Sequence, residues 1–427
     1  MSNRKYMTGW LAGGALVLTN LVQAQTPTYE ELREQVANLR ARLETIEQRD
    51  KAAHGTAREV LDDAERRSRL LQTGGLTAGY DKGFFIASSD GSFSLKPSLS
   101  FQFRNVSTFQ TGDDEDIQSG FEVRRLRPRI DGNVFSKDLT YSFQFDVSRT
   151  SGTTSLLDAW VQYKFASAWA VKVGQFKESV FHEKDVSFAR QLAVDRSIVD
   201  AILGGAQTDR VQGVELNYGQ QDLPWRAALA FHDGANSKNT DYQDGSTNFG
   251  VGGRIEYKFS GDWSAYRDFT AKGTQKDLLV LGAGADYTES GNTDVIRSVV
   301  DLQWENTEGL NAFAALHANF TEGDDNSTDW GAVGQVGYLL DPNWEIFGRY
   351  SAIFFDDEQD NGEDVAHEIT AGVNYYFGPQ GSYGHNAKLT VDLSYLPNGF
   401  PSNQTGLGIL AGDEDQFVLR AQLTFAI

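Results

Sequence analysis

The chain has 427 residues, no cysteine and a formal net charge of −21. Lack of cysteine excludes disulfides, thiolate metal sites and a cysteine nucleophile, and so negative a chain repels the phosphate backbone of nucleic acid. Glycine is frequent at 43, proline scarce at 8, and aromatics reach 12%, a composition suited to many long, regular strands.

Residues 1–24 read as an export signal. Arg4 and Lys5 give a positive start, Met7 to Val22 is mostly apolar, and Val22-Gln23-Ala24 has the small-x-small form of a cleavage site. The alternative is a single membrane anchor, but the stretch carries Thr8, Thr19 and Asn20 and is short for a span. No other apolar run reaches the length of a membrane helix, so insertion into a bilayer falls to a closed barrel, which satisfies its own backbone groups.

Residues 25–75 have a helical period. Tyr29, Leu32, Val36, Leu39, Leu43 and Ile46 alternate spacings of three and four, which makes a heptad seam that continues weakly to Leu71. The segment is either a short oligomerising coiled coil in the periplasm or an amphipathic helix packed on its own chain. Thr73-Gly74-Gly75 ends it.

Residues 83–427 read as the barrel domain. From about Ser94 the period is two. Leu139, Tyr141, Phe143, Phe145 and Val147 alternate with polar residues, as do Leu157, Ala159, Val161, Tyr163 and Phe165. Phe417, Leu419, Ala421, Leu423 and Phe425 repeat the pattern near the end. Such alternation, sustained at strand lengths of about ten residues, fits a transmembrane barrel with lipid outside and a polar lumen inside. About sixteen strands are expected, starting near residues 94, 121, 138, 154, 169, 210, 225, 249, 278, 295, 310, 330, 343, 366, 386 and 416. Short turns such as Ser136-Lys137 and Asp341-Pro342 alternate with longer acidic loops such as Asp356-Asp357-Glu358 and Asp413-Glu414-Asp415. Aromatics flank the short turns, as in a membrane-interface girdle. The connector from Ser260 to Lys276 is too long for this pattern.

Alternation points Arg125, Arg127, Arg129, Lys164 and Lys172 into the lumen, together with acids such as Asp131, Asp146, Asp158 and Glu215. The lumen is then balanced or mildly basic in an acidic chain. Rings of Lys and Arg select anions; the same charges would serve equally as salt bridges that stabilise the wall. The longest connector, Lys177 to Asp209, mixes charges with Phe181 and Phe188 and would narrow a pore by folding inward. The six histidines are scattered, and Gly282-Ala283-Gly284 lies inside a strand pattern, so neither a metal motif nor a phosphate loop is indicated.

The run Arg124-Arg125-Leu126-Arg127-Pro128-Arg129-Ile130-Asp131-Gly132 resembles part of the phosphate-selective porin O and P family. Leu157-Asp158-Ala159-Trp160, Val173-Gly174-Gln175-Phe176-Lys177 and Phe181-His182-Glu183-Lys184 do so too. The resemblance implies a trimeric barrel that passes anions. It also implies that Arg124, Arg125, Asp158 and Lys184 occupy the constriction, with Lys184 as the loop lysine that binds the anion. The expectation is an all-β transmembrane antiparallel barrel of about sixteen strands with a short N-terminal helical coiled-coil segment. Its function would be that of an outer-membrane porin preferring small anions such as phosphate. The pore-lining candidates are Arg124, Arg125, Arg127, Arg129, Asp158, Lys164, Lys177 and Lys184. The expected partners are small anionic solutes, outer-membrane lipid and lipopolysaccharide, and further copies in a homotrimer. No cofactor, metal or catalytic residue is expected. A barrel hydrolase and a structural, plugged barrel are the competing readings; the first needs a nucleophile, a base and an orienter in one place.

Overall fold

The structure, a computed structural model, describes residues 75–427 except Lys82, 113–115, 205–208, Asn236, 243–248 and 324–325, together with seven separate positions between Glu30 and Glu44. The chain divides into two units, Met1–Thr73 and Gly74–Ile427. In the first, Glu30, Arg33, Glu34, Ala37, Asn38, Arg40 and Glu44 are helical and exposed. The export signal and the seam residues from Tyr29 to Leu71 lie outside the described residues. No described helix is long and apolar enough to cross a membrane.

The second unit opens with a hairpin of β1 (Leu76–Tyr80) and β2 (Phe84–Ser88), too short for its alternation to stand out in the sequence. Sixteen longer strands follow. They are β3 (Ser94–Gln110), β4 (Asp116–Asn133), β5 (Leu139–Val147), β6 (Thr154–Lys164), β7 (Trp169–Lys177), β8 (Arg210–Gly219), β9 (Trp225–His232) and β10 (Phe249–Ser260). Then come β11 (Leu278–Ser290), β12 (Thr293–Glu305), β13 (Leu310–Glu322), β14 (Ser327–Leu339), β15 (Trp344–Phe354), β16 (Val365–Tyr376), β17 (Ala387–Leu396) and β18 (Gln416–Ala426). Each is antiparallel to the next, and β18 pairs with β3 to close the barrel. The expected strand starts fall close to these; β4 departs most, beginning at Asp116 rather than near 121.

The alternation holds as expected along β18, where Phe417, Leu419, Leu423 and Phe425 face outward while Gln416, Arg420, Gln422 and Thr424 are buried inside. Aromatic pairs bridge neighbouring strands at the short-turn end: Trp169 with Tyr218 at 4.9 Å, Trp225 with Tyr257 at 4.4 Å and Trp344 with Tyr375 at 4.7 Å. Besides a bulge at Phe259 near the end of β10, two β-bulges break the parity, in β4 and β6. One places Arg124 opposite no residue of β3. The other does the same for Leu157, which was expected to face away from Asp158 but is only 3% exposed.

The lumen is not uniformly polar. Val299, Phe313, Ala315, Val333, Phe347, Ile353 and Ala366 on β12–β16 are buried with one cluster of side chains from the long loop. That loop, between β7 and β8, carries α1 (His182–Asp185) and α2 (Ile198–Ile202). It contributes Val180, Phe181, Val186, Leu192, Ala193, Ile198, Val199 and Leu203 to the cluster. Ser197 caps α2 by accepting the Asp200 N–H at 3.1 Å, and its own hydroxyl donates to Glu183 at 2.8 Å. Gly282 and Gly284 on β11 answer the close approach of neighbours: a Cβ would strike the Arg254 guanidinium at the first and the Val180 carbonyl at the second. The phosphate-loop question at these glycines thus ends in packing.

The connector between β10 and β11, unexplained in the sequence, folds inward. Trp263, Tyr266 and Phe269 are buried. The Tyr266 ring stacks on His182 of the loop at 3.8 Å, and its hydroxyl accepts from Arg254 at 2.9 Å. Between β17 and β18, Phe400, Leu407 and Ile409 join the loop's cluster.

The seat predicts a specific failure. Phe181→Ala opens space in a packed core, a change that costs about 3–5 kcal/mol. With the loop alone depending on that contact, single-channel recordings should show higher and noisier conductance from a barrel that still folds. Conductance and noise equal to wild type would show that the seat does not hold the loop.

Candidate functional site

The loop covers the β11–β18 side of the lumen and leaves a cavity of about 270 Å³ along β3–β8. Its cations are Arg125, Arg127 and Arg129 of β4, Lys172 and Lys177 of β7, and Arg210 of β8; its carboxylates are Asp158 of β6 and Asp185 of α1. Trp160 and Phe188 add rings, and Ser100, Ser179 and Ser187 add hydroxyls. Ser100, Ser187 and Ala189 also line a wider vestibule of about 910 Å³, which reaches the β1–β2 hairpin and Ile427. Vestibule and cavity therefore share walls.

Each arginine of β4 is held by acids and rings. Successive inward residues of β4 would be Glu122, Arg124 and then Leu126; the bulge at Arg124 resets the order so that Arg125, Arg127, Arg129 and Asp131 face inward. Arg125 donates to Gln102 Oε1 at 2.8 Å and Asp195 Oδ1 at 3.0 Å, and its guanidinium lies 3.4 Å from the centre of the Phe188 ring. Arg124 is 3.6 Å from the same Asp195. Arg127 donates to Asp146 at 2.8 Å. Arg129 donates to Asp131 at 2.8 Å and stands 3.7 Å from Asp158. Asp158 accepts from Arg210 at 2.9 Å.

Asp195, on the long loop, is the hub that sequence reasoning missed. Arg104 pairs with it as well. Burial alone would push its carboxyl up, but Arg104, Arg124 and Arg125 outweigh that and hold it well below the usual range. One acid among several in a loop carries no sequence signal for this. Arg210 was legible only as the first residue of a strand, and Phe188, stacked between Arg125 and Arg196, only as an apolar loop residue.

Three expectations need correction. Arg124, drawn toward Asp195 of the loop, is not among the residues lining the cavity. Lys184 is 1% exposed, and its ammonium donates to Glu178 at 3.2 Å and to the Gly204 carbonyl at 3.2 Å. Short helix α1 turns it onto the loop's own Glu178 and Gly204, not to the open cavity. Lys164 is exposed near the turn end of β6 and is not among the residues lining the cavity. Lys177 takes the more open position. Its ammonium donates to the carbonyls of Lys184 at 3.0 Å and Asp185 at 3.1 Å, and no carboxylate lies within ion-pair distance among the described residues.

Glu178, His232 and Asp286 come together in a group that resembles a metal site. The chemistry does not fit one. His232 Nδ1 accepts the Gly234 N–H at 3.0 Å, so Nε2 carries the proton and donates to Asp286 at 2.8 Å. Arg297 pairs with Asp286 and lies 3.6 Å from Glu178. A guanidinium already supplies the positive charge, and the imidazole has no lone pair to offer.

At the vestibule, Arg190 of the loop lies 3.4 Å from Asp268 of the β10–β11 connector, and His385 lies 3.6 Å from the same carboxylate oxygen. Burial pushes the Asp268 carboxyl up to about 7, against the lowering pull of Arg190. A raised carboxyl is neutral below that pH and negative above it, so rising pH adds negative charge beside Arg190. Anion preference should therefore weaken as pH rises through about 7, and Asp268→Asn should remove that component. Reversal potentials recorded across the range test this; equal pH dependence in both proteins contradicts it.

Comparison with known proteins adds a family. The description phosphate-selective porin O and P matches residues 99–425. No curated protein sequence matches the chain. Among solved structures, an anion-selective porin from Comamonas acidovorans superposes with a TM-score of 0.56 at 14% identity, covering 78% of this chain and 100% of that one. The outer membrane channel DcaP of Acinetobacter baumannii gives 0.52 at 13%, covering 82% and 100%. The trimer form of OmpT from Vibrio cholerae gives 0.50 at 12%, covering 78% and 99%. At such identities these likenesses concern the fold.

Proposed function

The chain belongs to the phosphate-selective porin O and P family, and from that membership we propose that its passage prefers anions. It is a porin of the bacterial outer membrane, a β-barrel channel for passive diffusion of small solutes. The observation that carries the anion preference is the cavity left open beside the loop, with six cationic side chains, Arg125, Arg127, Arg129, Lys172, Lys177 and Arg210, against the carboxylates of Asp158 and Asp185. In a confined, low-dielectric space such a surplus attracts anions and rejects cations more strongly than the same charges would on an open surface. Small anions, phosphate among them, are the solutes of this reading. Arg125, Arg127, Arg129 and Lys177 form its contact wall; Arg124 and Lys184 act through the loop they help to hold.

The assembly in this reading is a homotrimer, in line with the trimer form of the OmpT fold. Acidic outer connectors such as Asp356-Asp357-Glu358 would meet lipopolysaccharide through divalent cations. No residue is assigned a catalytic role, and the plugged-barrel reading is separated from this one by whether the protein conducts at all.

Lys177→Glu tests the reading. It reverses the one ammonium of the cavity that has no carboxylate partner among the described residues. In a KCl gradient at about 0.1 M, where screening extends only over about 10 Å, the anion-to-cation permeability ratio should fall several-fold. Lys184→Met should change the ratio less. Its main effect should be on folding, since buried Glu178 then keeps only Arg297 at 3.6 Å among the described residues, and breaking one partner of a buried charge costs up to about 3–5 kcal/mol. A reversal potential for Lys177→Glu equal to wild type would contradict the assignment.

A further inference from the structure

The connector between β10 and β11 builds a wall as well as a support. Trp263 is fully buried, and its indole N–H donates to the Leu223 carbonyl at 2.8 Å. Beside it, along β8–β10, lies a third cavity of about 190 Å³. Asn217 near the end of β8 and Arg226 near the start of β9 line it, which places it at the short-turn end of the barrel. The vestibule lies at the same end, against Asn133 and Ile427. The two spaces share no lining residue.

Both border the cavity beside the loop. That cavity shares Ser100, Ser187 and Ala189 with the vestibule, and Ser179 and Asp185 with the third cavity. Loop residues 185–190 therefore run between two spaces, and Arg190 ties that stretch to Asp268 of the connector at 3.4 Å. Negative charge on the second side is largely answered. Ser179 and Asn217 donate to Glu215 at 2.9 and 3.0 Å, and Lys172 pairs with it. Arg254 pairs with Glu256 at 2.7 Å. Arg226 is held differently. Its guanidinium lies 4.1 Å from the centre of the Trp263 ring, and no carboxylate is within ion-pair distance of it among the described residues. A ring face holds a cation without cancelling its charge.

From this we infer that the passage divides beneath the loop into two outlets, and that Arg226 is the anion-binding side chain of the second. Conduction needs several weak sites, so that an ion bound at one has another to move to. Arg226 is such a step for an anion leaving the cations beside the loop by way of Ser179. The connector, too long for a simple turn, supplies the ring that orients this guanidinium. The division is a matter of geometry; the role of Arg226 rests on the anion-preferring reading.

The chain has no cysteine, so Ala228→Cys in the third cavity and Ser98→Cys in the vestibule can each be labelled alone. The reagent is a thiol-reactive polymer large enough to fill either space, and mass spectrometry confirms labelling. Each labelled protein should lose part of its single-channel conductance. Blocking parallel outlets compounds, so the doubly labelled protein should lose at least the sum of the two single losses; obstacles in series would lose less than the sum. A cysteine that takes no label, a single label that leaves conductance unchanged or abolishes it, or a double loss below the sum overturns the division. Arg226→Gln should shift the KCl reversal potential toward cations, by less than Lys177→Glu. A potential equal to wild type overturns the role of Arg226 and leaves the outlet standing. A wild type without anion preference overturns the proposed function and the role of Arg226 together, while the labelled conductances still decide the division.

Discussion

Seating of the long loop on the apolar side of the lumen is the contact on which the rest depends. A water-filled barrel has no reason to carry Phe313, Val333, Phe347 and Ile353 on its inner wall unless something dry covers them. Phe181, Leu192, Ile198 and Val199 supply the cover, and the hydrophobic effect fixes the loop without directional bonds. The inward-folded connector supports it through the stack of Tyr266 on His182. What remains open is decided by subtraction: the side of the barrel that the loop does not cover is the side that carries Arg125, Arg127, Arg129, Lys172 and Arg210.

Charge then follows from burial. Charges taken from water survive only when paired, and the loop brings its own partners. Asp195 gathers Arg104, Arg124 and Arg125; Glu178 faces Lys184 and Arg297; Glu183 holds the cap of α2. These pairs fix the loop's register against the wall. The cavity cations are paired with Asp195, Asp146, Asp131, Glu215 and Asp158, and in the proposed reading an entering anion meets groups already oriented. Lys177 differs, being held by carbonyls that orient the ammonium without neutralising it.

Strand number and placement were legible because alternation is a local property, repeated in every strand with one face in lipid. The inward set Arg125, Arg127, Arg129 and Asp158 followed from the same parity. Parity could not foresee the bulges that bring Arg124 to the side of Arg125 and turn Leu157 inward, since an extra residue shows only in the pairing partner. The family resemblance marked the loop but not the direction of a side chain within it, and so placed Lys184 in the passage when α1 turns it onto Glu178 and Gly204 of the loop itself. The apolar seat was hidden for another reason. Its members are spread over five strands, each reading as one lapse in an otherwise polar row.

Removal of the loop tests the account most directly. A chain in which residues 179–208 are replaced by a short Gly-Ser linker keeps every barrel strand and the wall arginines, and exposes the apolar seat. Conductance should rise several-fold. The anion-to-cation permeability ratio should fall toward unity, because the arginines then face a wide, well-screened lumen. A shortened protein that conducts more while keeping the wild-type ratio would show that selectivity resides elsewhere, and that the loop's seating does not define the passage.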